Sequence, residues 1–248
     1  MDKTVFYIAG GSPALKYAGE YLEERGRAVA TAPGSDVTHL LLPVPFYDSG
    51  GQLRDLLAAL PKDITVLGGK LSHPALEGYR TVDLLEDAYY LAENAAITAD
   101  CALRIAGSNM GVVFRGCPVL ILGWGRIGKC LAGMLKALGA EVTVAARKED
   151  SRAMAQALGF HAEDIAELNY TLARYRVIFN TVPATVLTRP QLTHCRKDCI
   201  KIDLASMPGI EGSDVIWARG LPGKDTPESS GVLIGKTVLQ LTAKEGAK

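Results

Sequence analysis

The stretch that decides the fold is LILGWGRIGKCLAGMLKALGAEVTVAAR, residues 120–147. An apolar strand pattern leads into the turn Gly123-Trp124-Gly125-Arg126-Ile127-Gly128, and an amphipathic helix pattern follows. Gly139 ends the helix, and EVTVAA predicts a second strand. A strand, a G-x-G-x-x-G turn, a helix and a second strand in this order predict the first βαβ unit of a Rossmann domain that binds a dinucleotide.

The glycines of this turn have separate physical tasks. Gly123 allows the tight turn, Gly125 lets the backbone approach a pyrophosphate, and Gly128 lets the helix pack closely against the strand. The helix N-terminus then holds the diphosphate through its N–H groups, and we expect Trp124, Arg126 and Ile127 to contribute to the same site. The alternative is a glycine-rich turn that binds nothing, which the complete βαβ pattern disfavours.

The end of the second strand bears on the choice of cofactor. NAD-binding sequences usually have Asp or Glu there, whereas this chain has Ala145-Ala146-Arg147-Lys148 and no carboxylate before Glu149. A small residue followed by arginine leaves room for a 2′-phosphate and supplies a planar donor for it. The sequence therefore predicts NADP(H), bound by Ala146, Arg147 and Lys148. The alternative is that the two basic residues only solubilise the strand end.

Two later loops follow strand patterns and contribute further candidates. They are FNTVPATVL, residues 179–187, and IDLASMPG, residues 202–209. Ligands of open α/β sheets bind beyond the carboxyl ends of the strands, so both loops are expected to border the nicotinamide. A polar turn fixed by Pro183 is the alternative for the first loop. The cofactor-binding candidates in the two loops are Asn180, Thr181, Val182, Pro183, Asp203 and Ala205.

Strand and helix patterns also alternate before this region. TVFYIAG, RAVATA, VTHLLLPVP and ITVLGG predict the strands of a small flavodoxin-like sheet. The predicted fold class is α/β, with two open parallel-sheet domains. We expect an N-terminal domain for substrate or partner at 1–92, a connecting helix at 93–112, a Rossmann domain at 113–225, and a C-terminal helix at 226–248 that packs back across the domains.

Composition narrows the classes of function. Lysine and arginine number 27 against 27 acidic residues, so no net field favours nucleic acid or an anionic membrane. The chain has neither a secretory signal pattern nor an apolar run of membrane-spanning length, which predicts a soluble cytoplasmic protein. Five cysteines suit reduced thiols, and HCRKDC lacks the further ligands of a metal site, so no metal is expected.

Candidates for the substrate site come from the first domain and the connector. Gly10, Gly11 and Ser12 follow the first strand and present N–H groups suited to a substrate carboxylate, and Pro43 stiffens a predicted cleft wall. An ordinary strand-to-helix turn explains the glycines equally well. No nucleophile motif is present, but hydride transfer to a nicotinamide needs none. The candidates for catalysis are Asn94 and Thr98 of the connector and Ser206.

Several segments together resemble the family formed by the A subunit of dipicolinate synthase. The most specific are FNTVPATVL, IDLASMPG and GLPGKDTPESSGVLI, and ENAAITADCALRIA and LLPVP are also similar. The resemblance implies a two-domain, NADP(H)-dependent enzyme for the oxidation of a dihydrodipicolinate-type precursor to pyridine-2,6-dicarboxylate, a small dicarboxylate. It also implies a role in sporulation, with a flavoprotein-like B subunit.

The chain departs from the family pattern at two places. GGSPALKYA stands where the family has an acidic residue and arginine near GGDxR, and the segment between SMPG and GLPG is short.

A D-2-hydroxyacid dehydrogenase-like reductase of another small carboxylate is an alternative function. It is disfavoured because Ala205 and Ser206 stand where an arginine is expected and because no histidine follows His194. The second alternative is a non-catalytic subunit that binds a nucleotide. The apolar final helix and short last strand offer an interface for a homodimer.

Overall fold

The computed structural model describes residues 4–48 and 50–245, and the chain divides into two compact units. One unit comprises the chain up to Asn94 together with the chain from Pro222 onward, and the other is Ala95–Leu221. Each unit is built around one sheet whose strands all pair in parallel. The predicted fold class of two open parallel-sheet α/β domains is therefore confirmed.

The sheet of the first unit has the order β2-β1-β3-β4-β5, which is the flavodoxin-like order. The prediction of a flavodoxin-like N-terminal sheet is confirmed, although its fifth strand is absent from the sequence-based description. The strands are β1 (Val5–Ile8), β2 (Ala28–Ala30), β3 (His39–Leu41), β4 (Thr65–Gly68) and β5 (Arg80–Asp83). Two helices lie between these strands in sequence, α1 (Pro13–Glu24) and α2 (Gln52–Ala58). A third, α3 (Ala88–Asn109), follows β5 and continues into the second unit.

The sheet of the second unit has the order β11-β10-β9-β6-β7-β8. Numbered within the unit from the opposite edge, this is 3-2-1-4-5-6, the Rossmann order. The strands are β6 (Pro118–Leu122), β7 (Glu141–Ala146), β8 (His161–Asp164), β9 (Val177–Asn180), β10 (Ile200–Asp203) and β11 (Val215–Trp217). The helices are α4 (Arg126–Ala137), α5 (Glu149–Ala157), the short α6 (Arg189–Leu192) and α7 (Leu221–Asp225), which runs into the first unit.

Central strands of the Rossmann sheet are buried on both faces, which explains their continuous apolar sequences. Val119, Leu120, Ile121 and Leu122 of β6 are all fully buried. On one face β6 packs with Leu131 and Leu135 of α4 in the same core cluster. This packing fixes the end of β6, and therefore the start of the glycine turn, against α4.

The connecting helix α3 begins at Ala88, five residues before the predicted 93, and ends at Asn109 rather than 112. Asp87 explains the earlier start, because its carboxylate Oδ1 accepts a hydrogen bond of 2.8 Å from the Tyr90 N–H. Cys101 lies fully buried in the core of the Rossmann unit, with Ile97 and Ile105 packed against it. Within the described chain, no helix is both long enough and apolar enough to cross a membrane.

The final helix α8 (Pro227–Glu245) packs against α1 within the first unit. Gly231 is essential to this contact, because a Cβ atom there would overlap the backbone oxygen of Ala14. A Cβ atom on Gly235 would lie 2.8 Å from the Tyr21 ring. Two glycines four residues apart thus let the helix backbones approach closely, as their spacing in sequence indicates.

Candidate nucleotide-binding site

The candidate site lies where the strand order of the Rossmann sheet reverses, between β6 and β9. The Gly123 N–H donates to the Ala145 oxygen (2.9 Å), and the Thr181 N–H donates to the Leu122 oxygen (2.9 Å). The Thr181 hydroxyl donates to that same oxygen, also at 2.9 Å. The glycine turn and the NTVPA loop therefore lie side by side at the carboxyl edge, the place where doubly wound sheets bind dinucleotides.

Each glycine of the turn has a distinct environment. Gly123 has φ +100°, and a Cβ atom there would lie 2.6 Å from the Thr181 hydroxyl oxygen. Gly125, at the N-cap of α4, would present an added Cβ to open space, with nothing within 4 Å. A Cβ on Gly128 would overlap the Gly123 oxygen. The first and third glycines thus permit close packing, while the second leaves space outside the helix N-terminus.

A cavity of about 630 Å³ opens beside this turn. Among the described residues that line it, Arg147 and Lys148 are basic and none is acidic. Both basic residues directly follow β7. The lining is Gly123, Trp124, Ala146, Arg147, Lys148, Ser151, Ile165, Ala166, Val182, Pro183, Ala184, Thr185, Val186 and Gln191.

Trp124 lines the cavity beside the glycine turn and carries an unpartnered polar atom. Its indole packs edge-on against Phe160, with ring centroids 5.7 Å apart, but its buried Nε1 has no hydrogen-bond partner in the described chain. An unpartnered buried donor is costly unless a ligand or water accepts from it. The unpartnered indole N–H and the open space at Gly125 are both compatible with a dinucleotide at this turn.

The end of β7 is held rigidly by Arg152, which sequence reasoning missed. Its guanidinium Nη1 donates to the backbone oxygens of Ala146 and Arg147, both at 2.9 Å, and pairs with the Asp164 carboxylate at 2.8 Å. The Arg147 side chain itself is exposed. Arg152 therefore fixes the backbone from which Arg147 and Lys148 extend into the cavity lining.

Asn180 and Asp203 form a buried network in place of an open polar surface. Asn180 is 0% exposed and Asp203 is 1% exposed. The Asn180 Nδ2 donates to Asp203 Oδ1 at 2.9 Å, and the Asp203 carboxylate also accepts from the N–H groups of Ala205 (3.1 Å), Gly209 (2.7 Å) and Ile210 (3.1 Å). These side chains are occupied in shaping the two loops, so a cofactor contact through them is not expected. Contacts through the loop backbones stay a prediction.

The remaining cofactor candidates divide between surface and interior. Arg126 is the first residue of α4 and is exposed, while Ile127 packs against the Rossmann core. Ala205 is buried, and its N–H is used by Asp203. Sequence reasoning also missed part of the cavity wall, since Ile165 and Ala166 follow the unpredicted strand β8 and Ser151 and Gln191 belong to no motif.

The substrate candidates of the first unit meet at the point where its own strand order reverses. Gly10 follows β1 with φ +125°, and a Cβ there would lie 3.3 Å from Pro43 Cγ, beyond β3. Gly11 has nothing within 4 Å of an added Cβ. The Ser12 hydroxyl oxygen, however, accepts from the Leu15 N–H at 3.3 Å and so acts as the N-cap of α1. Ser12 therefore has a structural task whether or not it also contacts a substrate.

The candidates for catalysis are not equivalent. Thr98 is buried on α3 at 8% exposure, and Asn94 is half-buried one turn earlier on the same helix. Ser206 is exposed on the loop that follows β10. No group of three or more His, Cys, Asp or Glu side chains that could hold a metal ion occurs in residues 4–48 and 50–245.

Cys195 and Cys199 lie close together in the turn before β10. A hydrogen bond with the Cys199 thiol lowers the pKa of Cys195 to about 7, and the ammonium group of Lys201 acts in the same direction. Lys201 is 3% exposed and pairs with Asp214 at 2.8 Å. A thiol with a lowered pKa is the more reactive nucleophile near neutral pH.

We expect Cys195 to be the first cysteine alkylated by iodoacetamide, with a rate that rises through about pH 7 and levels off above it. Peptide mass spectrometry after brief treatment at several pH values would measure this. Cys130, which is also half-buried, serves as the internal comparison. Equal rates for the two thiols at pH 7 would contradict the prediction.

Comparisons with known proteins agree with this geometry. The model of the family described as "D-isomer specific 2-hydroxyacid dehydrogenase, NAD binding domain" matches residues 96–200. The A subunit of dipicolinate synthase from Bacillus subtilis (strain 168) is 27% identical over 208 residues, which cover 77% of this chain and 69% of that protein. The resemblance to the dipicolinate synthase A subunit is confirmed. The matches support an oxidoreductase with a nicotinamide cofactor.

Solved structures show the same fold. The crystal structure of the dipicolinate synthase A subunit from Bacillus halodurans has a TM-score of 0.83 at 23% identity and covers 96% of this chain and 97% of that one. The corresponding crystal structure from Bacillus subtilis has a TM-score of 0.84 at 22% identity, with 100% and 98% covered. D-lactate dehydrogenase from Escherichia coli has a TM-score of 0.63 at 15% identity, with 99% and 98% covered.

Proposed function

We propose that this chain is an NADP(H)-dependent oxidoreductase that oxidises a dihydrodipicolinate-type precursor to pyridine-2,6-dicarboxylate. The observation that carries the cofactor choice is the end of β7, where Arg147 and Lys148 line the cavity and no acidic residue among the described lining does. The likeness to the A subunit of dipicolinate synthase supports the substrate. A role in dipicolinic acid synthesis during sporulation is part of the same proposal.

When bound, the nicotinamide supplies the hydride acceptor. The proposed oxidation would move one hydride from the dihydropyridine ring to that acceptor and release one proton to a base or to water. The chain's own task is to bind the cofactor and the substrate and to orient them toward each other. The helix N-terminus at Gly125 would hold the diphosphate, and the Asn180–Asp203 network fixes the loops after β9 and β10. Asn94, Thr98 and Ser206 remain our candidates for substrate contact or proton transfer.

Arg147→Ala tests the cofactor choice. We expect NADPH to bind at least about tenfold more weakly to the variant, because a charge-assisted hydrogen bond to a phosphate contributes roughly 1.5–3 kcal/mol. NADH affinity is expected to be unchanged, since NADH lacks the 2′-phosphate. Isothermal titration with both cofactors measures the two affinities.

The matched control for this test is Arg174→Ala. Arg174 is an exposed arginine of the same unit, but it lines a different cavity with Pro118 and Glu141 at the opposite edge of the sheet. The control makes the same change in net charge and should retain wild-type NADPH affinity. Equal affinities of the wild type for NADPH and NADH would refute the NADP(H) proposal.

Turnover tests the substrate and the partner. The chain is incubated with NADP⁺ and dihydrodipicolinate, alone and with a flavoprotein-like B subunit, while NADPH absorbance is followed. NADPH formation in either mixture supports the proposal, and the comparison shows whether the second subunit is needed. Tight NADPH binding with no turnover in both mixtures would instead favour a non-catalytic nucleotide-binding subunit.

The match to the 2-hydroxyacid dehydrogenase NAD-binding domain motivates a second candidate, a reductase of another small carboxylate. Two features disfavour it. The loop after β10 carries Ala205 and Ser206 where an arginine is expected, and no histidine follows His194. Oxidation of 2-hydroxy acids with NADP⁺, in the absence of activity on dihydrodipicolinate, would reverse this preference.

A further inference from the structure

Three large side chains are exposed at the carboxyl ends of β10 and β11. Trp217, the last residue of β11, is 49% exposed, and Met207, on the loop after β10, is 62% exposed. Arg219 follows two residues after Trp217 and is also exposed. Single exposed apolar side chains are normal on a protein surface, so the contacts of Trp217 and Arg219 decide whether this surface can bind a ligand.

The support beneath these residues is rigid. The Trp217 Nε1 donates to the Ala205 oxygen at 3.4 Å, which ties the indole to the loop after β10. The Ala218 N–H donates to the Asp203 oxygen at 2.8 Å. Because the Asp203 carboxylate also holds the Gly209 N–H, the exposed groups project from a backbone with fixed geometry. The Trp217 indole is therefore held in place although it is 49% exposed.

Arg219 lies over the Trp217 ring, with its guanidinium carbon 4.9 Å from the ring centroid. Within residues 4–48 and 50–245, no carboxylate lies within 4.0 Å of this guanidinium. Its hydrogen-bond donors are thus available to an external anion. An aromatic face and an unpaired planar cation stand next to each other in the described chain.

The position along the sheet selects the kind of ligand. Arg147 and Lys148 extend from β7, so under the proposed function the adenosine half of the cofactor lies on that side of the reversal point between β6 and β9. The nicotinamide half then extends toward β10 and β11. Trp217 and Arg219 are on that same side, where the substrate must meet the nicotinamide.

We propose that Trp217 and Arg219 form the substrate-recognition site of this unit, specific for a planar ring that bears a carboxylate. The indole packs against the ring face, and the guanidinium donates two hydrogen bonds to the carboxylate in a bidentate pair. This inference rests on the proposed function for its orientation along the sheet. Under this proposal, Arg219 supplies the guanidinium that the loop after β10 lacks, where Ala205 and Ser206 stand at the expected arginine.

The test uses pyridine-2,6-dicarboxylate as the probe and isothermal titration of the full chain with NADP⁺ present. Arg219→Gln is expected to weaken probe binding at least about tenfold, because the charged hydrogen-bonded pair is lost. Arg25→Gln is the matched control, since the Arg25 guanidinium also lies over an aromatic ring, that of Tyr21, at 3.7 Å. The control should bind the probe as the wild type does.

Trp217→Phe provides a spectroscopic test in the same protein. The chain has two tryptophans, so this variant keeps only Trp124. Saturating pyridine-2,6-dicarboxylate should change tryptophan emission in the wild type and not in Trp217→Phe, which should still bind the probe calorimetrically because a ring remains. A change of the same size in both proteins would overturn the proposal.

The outcomes separate this inference from the proposed function. NADPH affinity should be the same in the wild type, Arg219→Gln and Trp217→Phe. If NADPH binds normally but Arg219→Gln and Arg25→Gln bind the probe equally, the recognition site is wrong and the cofactor proposal survives. If the wild type binds the probe with these effects but fails to bind NADPH, the recognition site stands and the proposed function falls.

Discussion

Gly125→Ala is expected to weaken NADPH binding by about a hundredfold or more while leaving the fold intact. The added methyl group would meet no protein atom within 4 Å, so it fills only the space outside the N-terminus of α4. A diphosphate kept away from that position loses at least two charge-assisted hydrogen bonds, each contributing roughly 1.5–3 kcal/mol. The free energy of unfolding should fall by only about 1 kcal/mol, because alanine is a poorer N-cap residue than glycine.

The matched controls are Gly133 and Gly128, two glycines within α4. Gly133→Ala also adds a methyl group to open space, but in the helix interior, and should leave NADPH binding unchanged. Gly128→Ala should destabilise the unit, because its methyl group overlaps the Gly123 oxygen. Titration calorimetry and urea unfolding distinguish the three variants. Wild-type NADPH affinity in a folded Gly125→Ala protein would show that the diphosphate does not bind at this turn.

Asp203→Ala is expected to lower the free energy of unfolding by roughly 3 kcal/mol or more, because buried donors left without a partner cost about 1–3 kcal/mol each, moderated by any water that enters. The substitution removes an acceptor that serves the Asn180 amide and the N–H groups of Ala205, Gly209 and Ile210. Urea unfolding of the Rossmann unit, followed by fluorescence, measures the loss.

The control for this prediction is Asp198→Ala. Asp198 pairs with Arg176 and Arg196 at the surface, where ion pairs contribute little, and its loss should leave the unfolding midpoint nearly unchanged. Asp203→Asn should be intermediate, because the amide keeps one acceptor oxygen but turns an NH₂ group toward other donors. Similar midpoints for Asp203→Ala and Asp198→Ala would contradict the structural role of the buried carboxylate.

The sequence predicted the central strands because burial on both faces makes them continuously apolar, as β6 and β9 illustrate. It missed β5 and β8, whose sequences RTVD and HAED are largely polar. Both are edge strands whose first residues are exposed. Because their side chains are not fully buried, their sequences need not be apolar and show no strand pattern. The pairing of their backbones becomes evident only in three dimensions.

The same distinction applies to the candidate site. The glycine spacing and the basic end of β7 are local in sequence, so the turn and the two basic residues beside the cavity could be predicted. The hydrogen bond between Asn180 and Asp203 joins residues on separate strands. The sequence made both residues candidates for cofactor binding but could not indicate that their side chains bond to each other. Trp217 and Arg219 carry no motif, and their relation becomes visible only through the ring and guanidinium geometry.

The contact between α1 and α8 has a consequence for the order in which the two units fold during synthesis. The N-terminal unit is discontinuous, because its last helix is encoded after the whole of Ala95–Leu221. During synthesis the Rossmann unit emerges complete while α1 still lacks the surface that Gly231 and Gly235 bring to it. Domains generally fold as units as they emerge, and contacts distant in sequence form late. The Rossmann unit is therefore expected to fold while the chain is still on the ribosome. The N-terminal unit is expected to complete its fold only after α8 has emerged and can pack against α1.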